Sequence, residues 1–245
     1  HKGQFYSWLK DIYFNSGTPL PAAMQRAGEF LKQDVAWQQY PNSRDTSKRN
    51  TTENTYSCRS SYHILMTDGM WNAATTAPNP FNHDNVSIDL PDGKTYTRQH
   101  PFQDSQPNTL ADLAMHYWAT DLNANLSNKL PTYIPFKSGN STTDYWNPRN
   151  DPATWQHMTN FIMGLGLTNS LNSPGIPWAG STHEGIGYEA LVAGTKAWPA
   201  AASNSANNVY DLWHAAINSR GEFFSVDSPE AMVQAFDDIL SRIAD

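Results

Sequence analysis

The sequence predicts an α/β fold, with a mostly parallel sheet flanked by helices and interrupted by long polar inserts. Three observations predict it. A short apolar run, Tyr62 to Thr67, ends in Asp68-Gly69. An apolar run of that length between turn residues is the pattern of a strand buried on both faces of a parallel sheet. Two further runs, His157 to Leu167 and Glu222 to Val226, alternate with amphipathic helical segments, as βαβ units do. Finally, Ser228-Pro229-Glu230 opens a segment whose Met232, Val233, Phe236, Ile239, Leu240 and Ile243 fall on one helical face.

The elements follow in chain order. Residues 5–13 carry apolar side chains at helical spacing. Gly17-Thr18-Pro19-Leu20 then starts a second helix, with Thr18 suited to its cap and Pro19 to its first turn. Residues 34–60 form a polar loop. After Asp68 an Asn- and Pro-rich excursion runs to about residue 108, and within it Val86–Leu90, Pro91-Asp92-Gly93 and Lys94–Thr97 read as a hairpin. A helix begins at Asn108-Thr109 with Leu110, Leu113, Ala114 and Trp118 on its apolar side. Residues 122–151 are a second polar insert. Helices are expected over 184–198 and 210–217. The whole of 1–245 reads as one domain with inserts at about 34–60, 70–108 and 122–151.

Composition narrows the function. Charged residues are 16% and the net charge is −7, with no block of Lys and Arg. Nucleic acid is therefore not expected as a partner, since binding there rests on neutralising phosphates. No apolar run approaches a membrane span. Asn, Thr, nine Trp and eleven Tyr carry the polar and aromatic load, a balance common in secreted and cell-surface proteins. His1-Lys2-Gly3 reads as an interior or processed start. The single cysteine, Cys58, excludes an internal disulfide. It is either a small buried hydrophobe or a thiol with a partner outside the chain.

Bond chemistry finds little support. There is no G-x-S-x-G elbow, no Walker loop and no full dinucleotide fingerprint, and His183-Glu184 lacks the second His of a zincin. Asp68, Asp84, Asp121 and Glu184 are candidate acids for a secreted hydrolase, with no spacing to join them. Asp68 lies at the carboxyl end of a strand, where ligands gather in open α/β sheets. Both a metal-ligating role and a simple capping role are open to it. A hydroxyl at Thr18 and a carboxylate at Asp68, on neighbouring loops, can hold a hard divalent cation. Mg²⁺ accepts few protein oxygens and keeps its waters, leaving a position for an acidic partner group. Trp118, Trp155 and Trp213 are expected in the core, and His157 and His214 buried and hydrogen-bonded. Tyr133, Tyr145, Trp146 and Trp178 lie in aromatic inserts. They either form an exposed, carbohydrate-binding surface or pack down their own loops.

Gly17-Thr18-Pro19-Leu20 and Leu65-Met66-Thr67-Asp68-Gly69 resemble the second and third motifs of a von Willebrand factor A domain, which help build its metal-ion-dependent adhesion site. Asn108 to Trp118, Trp155-Gln156-His157-Met158-Thr159 through Gly166, and Asp211-Leu212-Trp213-His214 to Gly221 resemble the PilC/PilY family of type IV pilus tip-associated proteins. One departure matters. The Asp-x-Ser-x-Ser motif that supplies the family's main ligands is absent; Asp45-Thr46-Ser47-Lys48-Arg49 comes closest and fails at the last Ser. The resemblance thus implies a von Willebrand A-like (Rossmann-like) segment that begins after the first strand, leaving a sheet with an exposed edge.

The resemblance also implies a non-enzymatic role in surface attachment, pilus assembly and twitching, at the pilus tip or outer cell surface. The expected cofactor is Mg²⁺ (or Mn²⁺ or Ca²⁺) on Thr18 and Asp68. The expected partners are the N-terminal segment and C-terminal β-propeller of the same protein, minor pilins, and an extracellular or host-surface ligand. Tyr145, Trp146 and Trp178 are the candidate ligand-binding residues.

Overall fold

The structure, a computed structural model, describes residues 2–11, 17–41, 44–48, 55–72 and 82–244. Its centre is a three-stranded parallel sheet of order β1-β4-β5, formed by β1 (Ser61–Thr67), β4 (Met158–Leu165) and β5 (Glu222–Val226). Thr67 of β1 stands beside Gly164 of β4, and Leu165 of β4 beside Val226 of β5. A two-stranded hairpin, β2 (Ile88–Asp89) and β3 (Thr95–Tyr96), lies in the excursion after β1.

β4 is the central strand, and its residues alternate between two cores. Ile162 joins Leu65 and Phe223 in the larger one. Phe161 and Met163 turn to the opposite face, against Val226, Ala235 and Ile239. The larger core is built on α3 (Leu110–Ala119) and α6 (Asn208–Asn218), with α2 (Leu20–Leu31) packed on α3. The smaller core lies under α7 (Pro229–Ala244). Shorter helices α4 (Ser141–Trp146) and α5 (Gly185–Val192) belong to the second insert and to the segment after β4. α1 (Lys2–Lys10) leaves Phe5, Tyr6 and Trp8 exposed.

Local chemistry explains the helix ends. α3 starts with a capping box. Thr109 Oγ1 accepts the Asp112 amide at 3.1 Å, and Asp112 Oδ2 accepts the Thr109 amide at 3.1 Å. α6 ends in a Schellman turn. The Gly221 amide donates to Ala216 O and the Arg220 amide to Ile217 O, with Arg220 at φ 62°. A side chain in that left-handed position is strained by about 1–2 kcal/mol. Its burial between the rings of Phe102 (4.1 Å) and Trp118 (4.4 Å) holds it there. Surface ion pairs such as Lys32–Glu29 (2.7 Å) contribute about 0–1 kcal/mol each. A buried Trp such as Trp213 contributes about 3–5 kcal/mol when compared with Ala, so the aromatic core decides the stability.

Three expectations change. β1 is not buried on both faces. Leu65 and Thr67 are buried, but Ile64 and Met66 are 39% and 42% exposed, because the core under α7 takes in β4 and β5 and, from β1, only Tyr62. Among the described residues no strand pairs with β1's outer edge. Thr18 does not cap α2. Pro19 holds the cap position, with no side-chain cap bond. Nor is the whole α7 stripe covered. Ile239 is buried, whereas Val233 and Leu240 are exposed.

Gly221 passes so close to β4 that a Cβ there would overlap the Asn160 carbonyl oxygen. Gly221→Ala is expected to destabilise the chain by about 2 kcal/mol or more. Gly3→Ala, on an exposed helix with open space around it, is expected to stay within about 0.5 kcal/mol. Urea unfolding midpoints of the two variants check this.

Candidate functional sites

The first site lies at the carboxyl end of β1. Asp68 leaves the strand exposed. Gly69 follows at φ 119°, a region that strains any side chain, and a Cβ there would also strike Leu167. The Gly69 amide donates to Thr67 Oγ1 at 3.1 Å, so that hydroxyl is already engaged. The Thr18 loop is tied to this turn. The Thr18 amide donates to Asn72 Oδ1 at 2.8 Å, and the Asn72 amide returns to Thr18 O at 3.3 Å. The fold thus anchors the loop carrying Thr18 to the segment that follows Asp68.

The second site was not legible in the sequence. It is a buried polar knot between α3, α6 and the 70–108 insert. Asp84 Oδ1 accepts the Asp104 amide (3.2 Å) and Asp84 Oδ2 accepts Asn218 Nδ2 (3.2 Å). His214 Nε2 lies 2.8 Å from the Phe102 carbonyl, which can only accept, so Nε2 carries a proton. Nδ1 faces Asp104 Oδ2 at 3.4 Å, and Trp198 stacks flat on the ring at 4.4 Å. Asp211 Oδ2 accepts Trp71 Nε1 (3.0 Å) and the Leu110 amide (3.0 Å), and its Oδ1 accepts the Ala111 amide (3.0 Å). It caps α3 from the neighbouring helix.

Asp84, Asp104 and His214 bring one donor atom each within 4.8 Å of one another, an arrangement a divalent cation can share. The hydrogen bonds in place fit a protonated histidine among carboxylates equally well. Burial works against the charge on His214, but the Asp104 hydrogen bond and the attraction of Asp84 and Asp104 outweigh it and lift its pKa to about 9. Burial also raises the Asp84 carboxyl well above the usual range, partly offset by His214. It lifts Asp112 to about 7 and Asp211 to about 6, against the backbone amides each accepts. Asp84 and Asp104 sit in the polar excursion with no periodicity to mark them. Asp84 was marked only as an isolated candidate acid and His214 only as an expected core histidine, with nothing to join them.

The remaining candidates separate. His157 is buried, with Nε2 2.9 Å from Asp151 Oδ2. Tyr145 is buried, not exposed, and donates to Asp92 Oδ2 at 2.7 Å. Trp146, beside it, is half-buried on an open groove. Trp178 is not on that surface; it packs edge-on against Trp213 (4.9 Å) and Phe223 (5.1 Å). Asp121 turns the chain after α3, accepting the Asn123 amide (3.0 Å), and Glu184 precedes α5, exposed. Cys58 is exposed, which removes the buried reading.

Comparison with known proteins follows this geometry. All 245 residues align at 53% identity with the type IV pilus biogenesis factor PilY1 of Pseudomonas aeruginosa strain PAO1. The same factor from strain PAK is 52% identical over 245 residues, and that from strain UCBPP-PA14 is 49% identical over 247. The chain matches a segment of the PilC/PilY family. It spans 20% of the length of these relatives. No family model and no solved structure matches it. Within this PilC/PilY segment, the parallel sheet with α7 on one face and α3 and α6 on the other agrees with a von Willebrand A-like, Rossmann-type architecture. No helix of the described residues is long and apolar enough to cross a membrane.

The knot gives this PilC/PilY segment a defined pH dependence. His214's folded pKa, about 9, exceeds the ordinary histidine value of 6.5. Its contribution is therefore complete below pH 6.5 and lost as pH rises through 9. Asp112 and Asp211, raised to about 7 and about 6, keep protons that the unfolded chain has shed. They too favour folding less as pH rises from the ordinary carboxyl value of 3.8 towards 7. Buried His116 and His183, lowered to about 3, oppose this trend below pH 6.5, so the melting temperature is expected to fall clearly only between pH 6.5 and 9. His214→Gln should remove the upper part of that fall. Thermal melts across this range check both.

Proposed function

We propose that the chain is an adhesion and pilus-biogenesis module of a type IV pilus protein. It would act outside the cell, at the pilus tip or outer cell surface, by binding and without bond chemistry. The observation that carries the reading is the alignment of the entire chain, at about half identity, with the PilY1 biogenesis factors. Minor pilins and a host or abiotic surface are the proposed partners.

Within that reading, Thr18 and Asp68 are one side of a cation site that presents Mg²⁺ or Mn²⁺ to a carboxylate of the ligand. The tie between the Thr18 loop and Asn72 supports it. The other side would come from a strand, outside the chain, that pairs with β1's free edge and covers Ile64 and Met66. An apolar pair left half-exposed beside an unpaired backbone supports that addition. A β-propeller elsewhere in the longer protein completes the proposed assembly.

Two measurements test this. Mn²⁺ titrated into the longer protein, followed by electron spin resonance, is expected to show a site that Asp68→Ala weakens by about tenfold or more. The same substitution should reduce surface attachment while the protein remains folded. Equal Mn²⁺ binding in the variant would remove Asp68 from the site. Amide exchange along β1 should be slower in the longer protein than in this chain; equal rates would count against strand addition.

A further inference from the structure

An open groove of about 680 Å³ lies between the 99–101 stretch, α4 with its following turn, and α5. That volume is in the range of small-ligand sites. Its platform is the indole of Trp146, half-buried and held from behind by Tyr145 (4.8 Å, near-perpendicular) and Tyr96 (6.0 Å). Two buried rings fix the ring that faces the groove, so little side-chain freedom is lost when something stacks on it.

The rim is polar and of mixed sense. Thr142 and Thr143 are exposed, with their backbone amides held by Asn140 Oδ1. Their hydroxyls can donate or accept. Asn147 Oδ1 is committed to the Arg149 amide (3.0 Å), which leaves its Nδ2 as a donor. Glu189 on α5 is exposed and contributes an acceptor. Arg149, the one guanidinium on the lining, is spent elsewhere. It donates to the His183 carbonyl and lies over the Phe136 ring at 4.4 Å.

These features select a ligand class. A pyranose has an apolar C–H face, suited to a flat aromatic ring, and a girdle of hydroxyls that need donors and acceptors together. The platform meets the first need and the rim the second. For an anion, the Arg149 guanidinium is opposed by the Glu189 carboxylate, so the lining offers no net positive charge. A purely apolar partner would dry the rim's amide and hydroxyls without replacing their hydrogen bonds, at about 1–3 kcal/mol per group. We propose that the groove floored by Trp146 binds a neutral oligosaccharide. This is independent of the cation reading at Thr18 and Asp68.

The test is calorimetric titration of the whole chain with a panel of neutral tetrasaccharides of glucose, galactose, mannose and N-acetylglucosamine. At least one is expected to bind with sub-millimolar affinity, unchanged by EDTA. Trp146→Ala should weaken it by about tenfold or more. Because Trp146 also packs on Tyr96 and Tyr145, a second variant guards against loss of folding. Val192→Trp adds bulk at an exposed position of the lining, removes nothing from the core, and should block the groove to the same degree. Trp178→Phe, away from the groove, should leave affinity unchanged. No binding by any panel member up to about 10 mM would overturn the proposal. So would binding that survives Val192→Trp, or a proline-rich peptide that occupies the groove where the sugars do not.

Discussion

The carboxylate of Asp211 is the interaction on which the arrangement depends. It sits on α6, yet it accepts the first two amides of α3 and the indole N–H of Trp71, just past β1. One side chain thus joins the two central helices to the loop that carries Asp68. The anion lies at a helix N-terminus, where the backbone dipoles favour it, and without it three buried donors would lose their acceptor. The other buried polar groups are arranged outward from this point. Asp112 closes the same helix turn, Asn218 bridges Asp84 and the Ala111 carbonyl, and His214 holds the insert through Phe102 and Asp104. The polar 70–108 insert is therefore part of the core and not an appendage to it.

The same framework determines which surfaces stay open. α3 and α6 pack on one face of the sheet, while α7 packs on the other, chiefly against β4 and β5. β1 is left with an unpaired edge among the described residues and two half-exposed apolar side chains. Isolated exposed apolar residues are ordinary, but an apolar pair beside an open backbone edge is a template for another strand.

The groove proposed to bind a ligand is built largely from the inserts, as is usual where a rigid sheet carries variable loops. The inserts divide their aromatic residues by function. Tyr145, Tyr96 and Trp178 pack inward and stiffen the loops. Trp146 faces an open groove and is fixed by those behind it. The cation site proposed at Asp68 and the groove belong to different segments of the chain, so the two can be tested one at a time.

The parallel sheet, the start of α3 at Thr109 and the core placement of Trp118, Trp155 and Trp213 were legible in the sequence. Each rests on local information: periodicity, a cap three residues from its partner, or an aromatic ring on an apolar helix face. The family was legible too, because its signature stretches are contiguous. What the sequence could not reveal depends on residues far apart in it. Asp84 and His214 meet across 130 positions, Asp211 reaches Leu110 across 101, and neither pairing leaves a periodic trace. The half-exposure of Ile64 and Met66 depends on which strands α7 packs against, and the roles of Trp146 and Trp178 on which ring lies behind each. The sequence by itself determined the α/β class and the pilus-protein family, since short-range pattern carries both. Only the tertiary structure decided which polar groups are buried together and which surfaces are left open, because burial is set by neighbours that the chain brings from a distance.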